Sequence, residues 1–240
     1  MKISIGFFGI TRSLKYTIKS INENILDILK ENNIEYDIYI HTYYLTNYKN
    51  IRTGEILNDY EIDNEEYKLL NPDFVEIDNQ ENVKKKINLS LYRTHKDPWE
   101  TNYNSVDNFI LAQYSKLRLT KMIYESRKNY DYILFMRPDC LYINKLPIYD
   151  FNLINDNSII IPNFHLYGNI PFNDRFCISN KNTYKIYGEV FDLLLDISKN
   201  KPLHSETILG EIMSNNKLNI IKIPFLFSRV RFNGNCIDNF

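Results

Sequence analysis

The chain has 240 residues, 25% of them charged, and a net charge near −1, so it can bury a full core and carries no broad basic field; duplex nucleic acid is excluded as its main partner. Three widely spaced cysteines, Cys140, Cys177 and Cys236, lack any zinc-ligand spacing and fit a reduced, cytoplasmic protein. No apolar run is long enough to span a bilayer and the first residues lack a signal peptide's apolar core, so no transmembrane segment is expected, while peripheral membrane association stays open.

Residues 3–8 alternate and then become continuously apolar, which predicts a first strand. The loop Gly9-Ile10-Thr11-Arg12-Ser13 follows, with Ser13 as the helix N-cap. From Leu14, the residues Ile18, Ile21, Ile25, Ile28 and Leu29 recur at helical spacing until Asn32-Asn33, and residues 36–41 read as a second strand. Strand, helix and strand in this order make a βαβ unit, so the expected fold class is α/β with a largely parallel central sheet. Residues 47–70 are polar and match no element, and residues 74–77 form a short strand after Asn71-Pro72. Residues 80–104 carry Lys84-Lys85-Lys86, read as a solvated helix face, and then Lys96-Asp97-Pro98-Trp99; the segment also suits a mobile loop on the acceptor side of a site.

Residues 105–129 contain no proline or glycine and predict a long helix, apolar on more than one face and therefore buried. Gln113, Lys116 and Arg118 on it need partners, either a bound phosphate or base or the protein's own carboxylates. The run 132–136 predicts a strand buried on both faces, ended by Arg137-Pro138-Asp139. A guanidinium and a carboxylate then stand at the carboxyl end of a core strand, where open α/β sheets bind ligands. Asp139 is read as holding a metal-bound phosphate; the alternative is a surface turn. Beyond it come a strand at 158–161 stopped by Pro162, a loop to 173, and a strand at 176–179 with Asp174 at its junction. Helices are expected at 180–199 and at 203–215, the second opened by Pro202 and carrying His204, Ser205 and Glu206 in its first turn. A strand at 218–223 precedes a tail with Arg229 and Arg231, and the absence of repeats or linkers predicts one domain over 1–240.

There is no Gly-x-Gly-x-x-Gly, no phosphate-binding loop ending Gly-Lys-Ser/Thr and no Gly-x-Ser-x-Gly elbow. What remains is Gly9, Thr11 and Arg12 after the first strand, Asp139 at a strand end, and acidic groups in later loops. That set suits a sheet gripping a nucleotide diphosphate through one metal and several basic groups.

Residues 130–139 (Tyr-Asp-Tyr-Ile-Leu-Phe-Met-Arg-Pro-Asp), preceded by Gln113-Tyr114-Ser115-Lys116 and followed by Asn173-Asp174-Arg175-Phe176 and His204-Ser205-Glu206, resemble glycosyltransferases of the GT-A fold. The likeness is to small bacterial and giant-virus polysaccharide-type members with an Arg-x-Asp ending in place of Asp-x-Asp, and it runs from Met1 to about Ile223. It implies a Rossmann-type α/β/α sandwich whose first 130 residues bind nucleotide while 131–240 hold metal, acceptor and tail. It implies hexosyl or deoxyhexosyl transfer from a nucleotide-diphosphate sugar, a UDP-sugar favoured, to a saccharide or glycan in polysaccharide biosynthesis.

By the resemblance, Asp139 matches the second aspartate of the motif and would bind Mn²⁺ or Mg²⁺, with His204 as a further ligand or a structural residue. Arg137, at the first aspartate's place, either contacts the diphosphate or neutralises Asp139. Gly9, Thr11, Arg12, Gln113 and Lys116 would contact the donor. Arg229 and Arg231 either close over the diphosphate from the tail or remain surface charges. An inverting enzyme also needs a carboxylate to take the acceptor hydroxyl's proton, and Asp174 and Glu206 are the candidates; whether transfer inverts or retains stays open. The alternatives are pairing of Asp174 with Arg175 and of Glu206 with the helix N-terminus. Two other functions compete: a sugar nucleotidyltransferase, which the glycine-poor first loop disfavours, and a carbohydrate-binding or scaffold protein without turnover, which Arg137 favours.

Overall fold

The structure, a computed structural model, describes residues 1–58 and 61–237. Its centre is a seven-stranded sheet in the order β10-β8-β9-β6-β1-β2-β5. The strands are β1 (Lys2–Phe8), β2 (Glu35–Tyr44), β5 (Phe74–Asn79), β6 (Tyr132–Met136), β8 (Ser158–Pro162), β9 (Phe176–Asn180) and β10 (Asn219–Ile223). β1 runs parallel to β2 and β6, β2 to β5, and β8 to β10, while β9 is antiparallel to both β6 and β8. The expected mostly parallel α/β/α arrangement is therefore what the chain adopts.

Side-chain alternation along β1 feeds the two layers. Ile3, Ile5 and Phe7 pack with Leu14, Ile21, Ile25 and Leu29 on one face, from α1 (Leu14–Ile21), a π-turn (Asn22–Leu26) and α2 (Asp27–Glu31). Phe8 packs on the other face with Phe109, Ile110, Leu119 and Ile123 of α4 (Asn104–Glu125). No helix among the described residues is long and apolar enough to cross a membrane.

Several elements differ from expectation. Ser13 stands at the N-cap of α1, but its hydroxyl makes no capping bond. The polar stretch 47–70 folds as a hairpin, β3 (Asn47–Asn50) and β4 (Glu55–Asn58), followed by a 3₁₀ turn (Glu66–Leu70). Residues 80–104 are not one loop: they open with α3 (Gln80–Ile87) and a 3₁₀ turn (Leu89–Tyr92), and Lys85 and Lys86 face solvent. The helix expected over 180–199 is two, α5 (Tyr184–Gly188) and α6 (Phe191–Ser198). Gly188 lies so close to Thr120 of α4 that an added Cβ would sit 2.0 Å from its Oγ1. That close approach explains why a glycine sits where α5 stops. The last helix, α7 (Ser205–Asn215), begins after His204, which occupies its N-cap. The tail is also ordered: β11 (Phe227–Val230) pairs antiparallel with β7 (Cys140–Tyr142) and with β12 (Cys236–Ile237).

A second tight approach fixes α7 against the loop after β8. A Cβ at Gly210 would lie 2.4 Å from the carbonyl oxygen of Ile170, which is backbone and cannot turn aside. Gly210→Ala is expected to cost about 1–3 kcal/mol by overpacking, measured as a lower urea midpoint with an unchanged slope.

Candidate functional site

The carboxyl ends of β1 and β6 meet the amino end of β9 at one edge of the sheet, because β9 runs the opposite way. Beside them opens a cleft with about 1020 Å³ of empty space, counting its mouth. Six arginines line it (Arg12, Arg52, Arg137, Arg175, Arg229, Arg231), against three carboxylates, Asp139, Asp174 and Glu206. Tyr43, Tyr48, Trp99 and Phe109 supply aromatic wall.

Gly9 ends β1 with φ 98°, a conformation that favours glycine, and its N–H donates to Ser115 Oγ at 2.8 Å. Ser115 continues to His41 Nδ1 at 2.8 Å, and His41 Nε2 to Asp78 at 3.2 Å. Burial lowers the His41 pKa, and the Ser115 hydroxyl also donates to the His41 carbonyl at 2.9 Å. Arg118 pairs with Glu76 at 2.8 Å and Asp78 at 2.9 Å, so protein carboxylates are the partners its sequence position required. This chain of bonds ties α4 to β1, β2 and β5 behind the cleft.

The centre is the pair at the end of β6. Arg137 donates to Asp139 from Nε at 2.8 Å and from Nη2 at 2.6 Å. Arg12 Nη1 lies 3.9 Å from Asp139, and its guanidinium sits 4.6 Å above the Tyr48 ring. Burial alone would raise the Asp139 pKa, but Arg137, then Arg12 and Arg231, hold it well below the usual carboxylate range. The tail reaches the same place: Val230 N–H donates to the Asp139 carbonyl at 2.8 Å, and Arg229 stands opposite Cys140.

Glu55, on the hairpin, is buried behind the cleft and gathers donors from both ends of the chain. It accepts from Arg12 Nε at 3.4 Å, Thr53 Oγ1 at 2.7 Å, Arg231 Nη1 at 3.4 Å and Phe232 N–H at 3.2 Å. Against the upward push of burial, these keep its pKa low, Arg12 foremost.

On the β9 side, Arg175 bridges two carboxylates, 3.6 Å from Asp174 and 3.8 Å from Glu206. These are ion pairs without hydrogen bonds: Asp174 Oδ1 and Arg175 Nη1 are buried and unbonded, as is Arg231 Nε. Glu206 opens α7, where the Ser205 hydroxyl donates to its Oε2. Burial and then the charge of Asp174 raise its pKa above that of an ordinary glutamate.

Gly9, Arg12, Arg137, Asp139, Asp174, Glu206, Arg229 and Arg231 thus converge on one cleft, while Thr11, Gln113, Lys116 and His204 do not line it. Thr11 is buried and its carbonyl accepts from Leu14 N–H. His204 stacks on Trp99 with ring centroids 5.0 Å apart, and its Nδ1 lies 3.0 Å from Thr207 Oγ1. A cation held by Asp139 and His204 does not fit this arrangement. Both Asp139 oxygens already bond Arg137, and among the described residues no three His, Cys, Asp or Glu side chains gather into an all-protein metal site.

Lys116 is fully buried under the floor, its Nζ 3.5 Å from the centre of the Tyr187 ring and without a hydrogen bond. Burial lowers its pKa to about 7, with Cys177 and Asp174 opposing. From pH 7 to 10.5 the unfolded chain binds a proton here that the folded one does not, so this lysine's penalty is full below pH 7 and fades as pH rises. The fall from 10.5 to about 7 corresponds to roughly 5 kcal/mol, of which the Tyr187 face returns about 2. Lys116→Met is therefore expected to stabilise the fold by about 3 kcal/mol at pH 7 and by little near pH 10.5, read from urea denaturation at both.

Sequence reasoning missed Tyr48, Arg52, Thr53 and Glu55. The sequence carries no apolar alternation there: Ile56 is exposed beside buried Leu57, and the buried Glu55 is charged.

No protein-family model matches the chain, and no curated protein matches it significantly. Among solved structures, it is similar to the galactosyltransferase LgtC in complex with donor and acceptor sugar analogues, at 12% identity and TM-score 0.49, over 92% of this chain and 73% of that one. It is similar to mouse xyloside xylosyltransferase 1 at 11% identity and TM-score 0.46, over 93% of this chain and 85% of the other. The glycosyltransferase GlyE of Streptococcus pneumoniae TIGR4 matches at 10% identity and TM-score 0.43, over 92% of this chain, which spans only 44% of that one.

Proposed function

We propose that this chain is a glycosyltransferase that moves a sugar from a nucleotide-diphosphate sugar, a UDP-sugar favoured, onto a saccharide acceptor. The observation that carries the reading is the single cleft in which six arginines face Asp139, Asp174 and Glu206 at the ligand edge of the sheet. The cationic side, Arg12, Arg137 and Arg231, suits a diphosphate. The aromatic wall of Tyr43, Tyr48 and Trp99 suits a base or a sugar face. Residues 1–130 then supply Arg12 and the aromatic wall of the nucleotide side, and residues 131–240 supply Arg137, the acceptor-side carboxylates and the tail arginines.

The chemistry balances on residues of the cleft. The acceptor hydroxyl oxygen forms the new bond to the anomeric carbon. The bond from that carbon to the phosphate oxygen breaks, and its electron pair leaves with the nucleoside diphosphate. The hydroxyl proton passes to Glu206, whose raised pKa makes it a stronger base than an ordinary glutamate. Asp174, beside it, raises that pKa and offers the unbonded Oδ1 to an acceptor hydroxyl. Positive charge develops on the sugar and negative charge on the leaving group, which the arginines face.

The test is incubation of the full chain with a panel of UDP-, GDP-, ADP- and CMP-sugars and simple saccharides, with released nucleotide measured. One nucleotide-diphosphate sugar consumed faster than in buffer supports the reading. A panel that stays intact, with no donor raising the melting temperature, overturns it.

A further inference from the structure

Resting on that reading, we propose that the leaving nucleoside diphosphate is held and its charge stabilised by the guanidiniums of Arg12, Arg137 and Arg231, with no divalent cation. The first ground is the donor set. Asp139 is the acidic group at the end of β6, and Arg137 occupies it with a two-point fork at 2.8 and 2.6 Å. A second and a third guanidinium, Arg12 and Arg231, add their charge to the same carboxylate. A cation entering there would meet three positive groups, and among the described residues no three His, Cys, Asp or Glu side chains gather to hold it.

The second ground is the supply of N–H donors. Arg137 engages Asp139 through Nε and Nη2, which leaves Nη1 outside that fork. Arg231 engages Glu55 through Nη1, while its buried Nε makes no hydrogen bond. Arg12 engages Glu55 through Nε and Nη2 and turns Nη1 toward Asp139. A buried donor left without a partner, as Arg231 Nε is, is costly, and a phosphate oxygen would satisfy it. Glu55 and Asp139 act here as positioning residues: they hold the guanidiniums in place without cancelling the cleft's excess of arginines over carboxylates.

When the bond from the anomeric carbon to the phosphate oxygen breaks, the electron pair stays on that oxygen. The new negative charge meets the arginine N–H groups, and the acceptor's proton goes to Glu206 as before. No further reactant is needed.

The experiment is titration calorimetry of the full chain with UDP, GDP, ADP and inorganic pyrophosphate, in EDTA and again in Mn²⁺. At least one nucleoside diphosphate is expected to bind in EDTA within threefold of its affinity in Mn²⁺, and Arg231→Gln is expected to weaken it at least tenfold in both. Binding lost tenfold or more in EDTA overturns the arginine assignment and keeps the glycosyltransferase reading. No binding of any probe in either buffer overturns both. The comparison of EDTA with Mn²⁺ uses the unmodified chain, so it decides even if Arg231→Gln fails to fold; Arg231→Gln folded and binding normally also overturns the assignment.

Discussion

Glu206→Gln is expected to lower kcat at least 100-fold while donor affinity stays within about threefold, the loss typical of a missing proton acceptor. The isosteric amide keeps a hydrogen-bonding side chain at the start of α7 but accepts no proton. The pH profile separates this role from a structural one. Burial, and then Asp174, raise the Glu206 pKa above its ordinary 4.5, so the base form is lost, as pH falls, earlier than for an exposed glutamate. The acidic limb of kcat is expected above pH 4.5 and is expected to move down in Asp174→Asn, because removing the neighbouring charge eases ionisation. If Glu206 only served the helix N-terminus, its replacement would cost about 0.3–1 kcal/mol of stability and leave the limb unmoved.

Asp139→Asn is expected to cost about 3–5 kcal/mol at pH 7, because it leaves Arg137 without its buried counter-ion. The sign of the pH dependence follows from the depressed folded pKa. The carboxylate's contribution is complete above the unfolded value of 3.8 and is lost as pH falls from there toward the folded value. Urea midpoints of the unmodified chain and of Asp139→Asn should therefore differ most at neutral pH and approach each other below about pH 4. Equal midpoints at pH 7 would mean that Arg137 and Asp139 are a surface turn after all. The burial of Asp139 argues against that, since it is only 3% exposed.

The elements that read correctly in the sequence are those whose burial is written as apolar residues. Residues 3–8 and 132–136 became β1 and β6 because a strand covered on both faces needs a continuous apolar run. The Arg137-Pro138-Asp139 ending fell at the cleft because proline stops the ladder there. The hairpin at 47–58 was not legible, since Glu55 is buried by guanidiniums from Arg12 and Arg231, partners 43 and 176 residues away. No local pattern records such a pairing. The tail gave two arginines but not their place, which depends on β11 pairing with the three-residue β7. The break between α5 and α6 likewise rests on Thr120, a residue of another helix. Lys116 and Gln113 looked like ligand contacts because they are polar groups on a buried helix. They are buried under the floor instead, with Lys116 against Tyr187.

On the proposed function, one end of this cleft takes a diphosphate and the other takes the sugar and its acceptor. A crystal structure of the chain with a bound nucleoside diphosphate tests it most directly. The account predicts phosphate oxygens within hydrogen-bonding distance of Arg137 and Arg231, the base against Tyr43 or Tyr48, and open space between the terminal phosphate and Glu206. A nucleotide bound away from the end of β6, or phosphates that leave Arg12, Arg137 and Arg231 untouched, would contradict it.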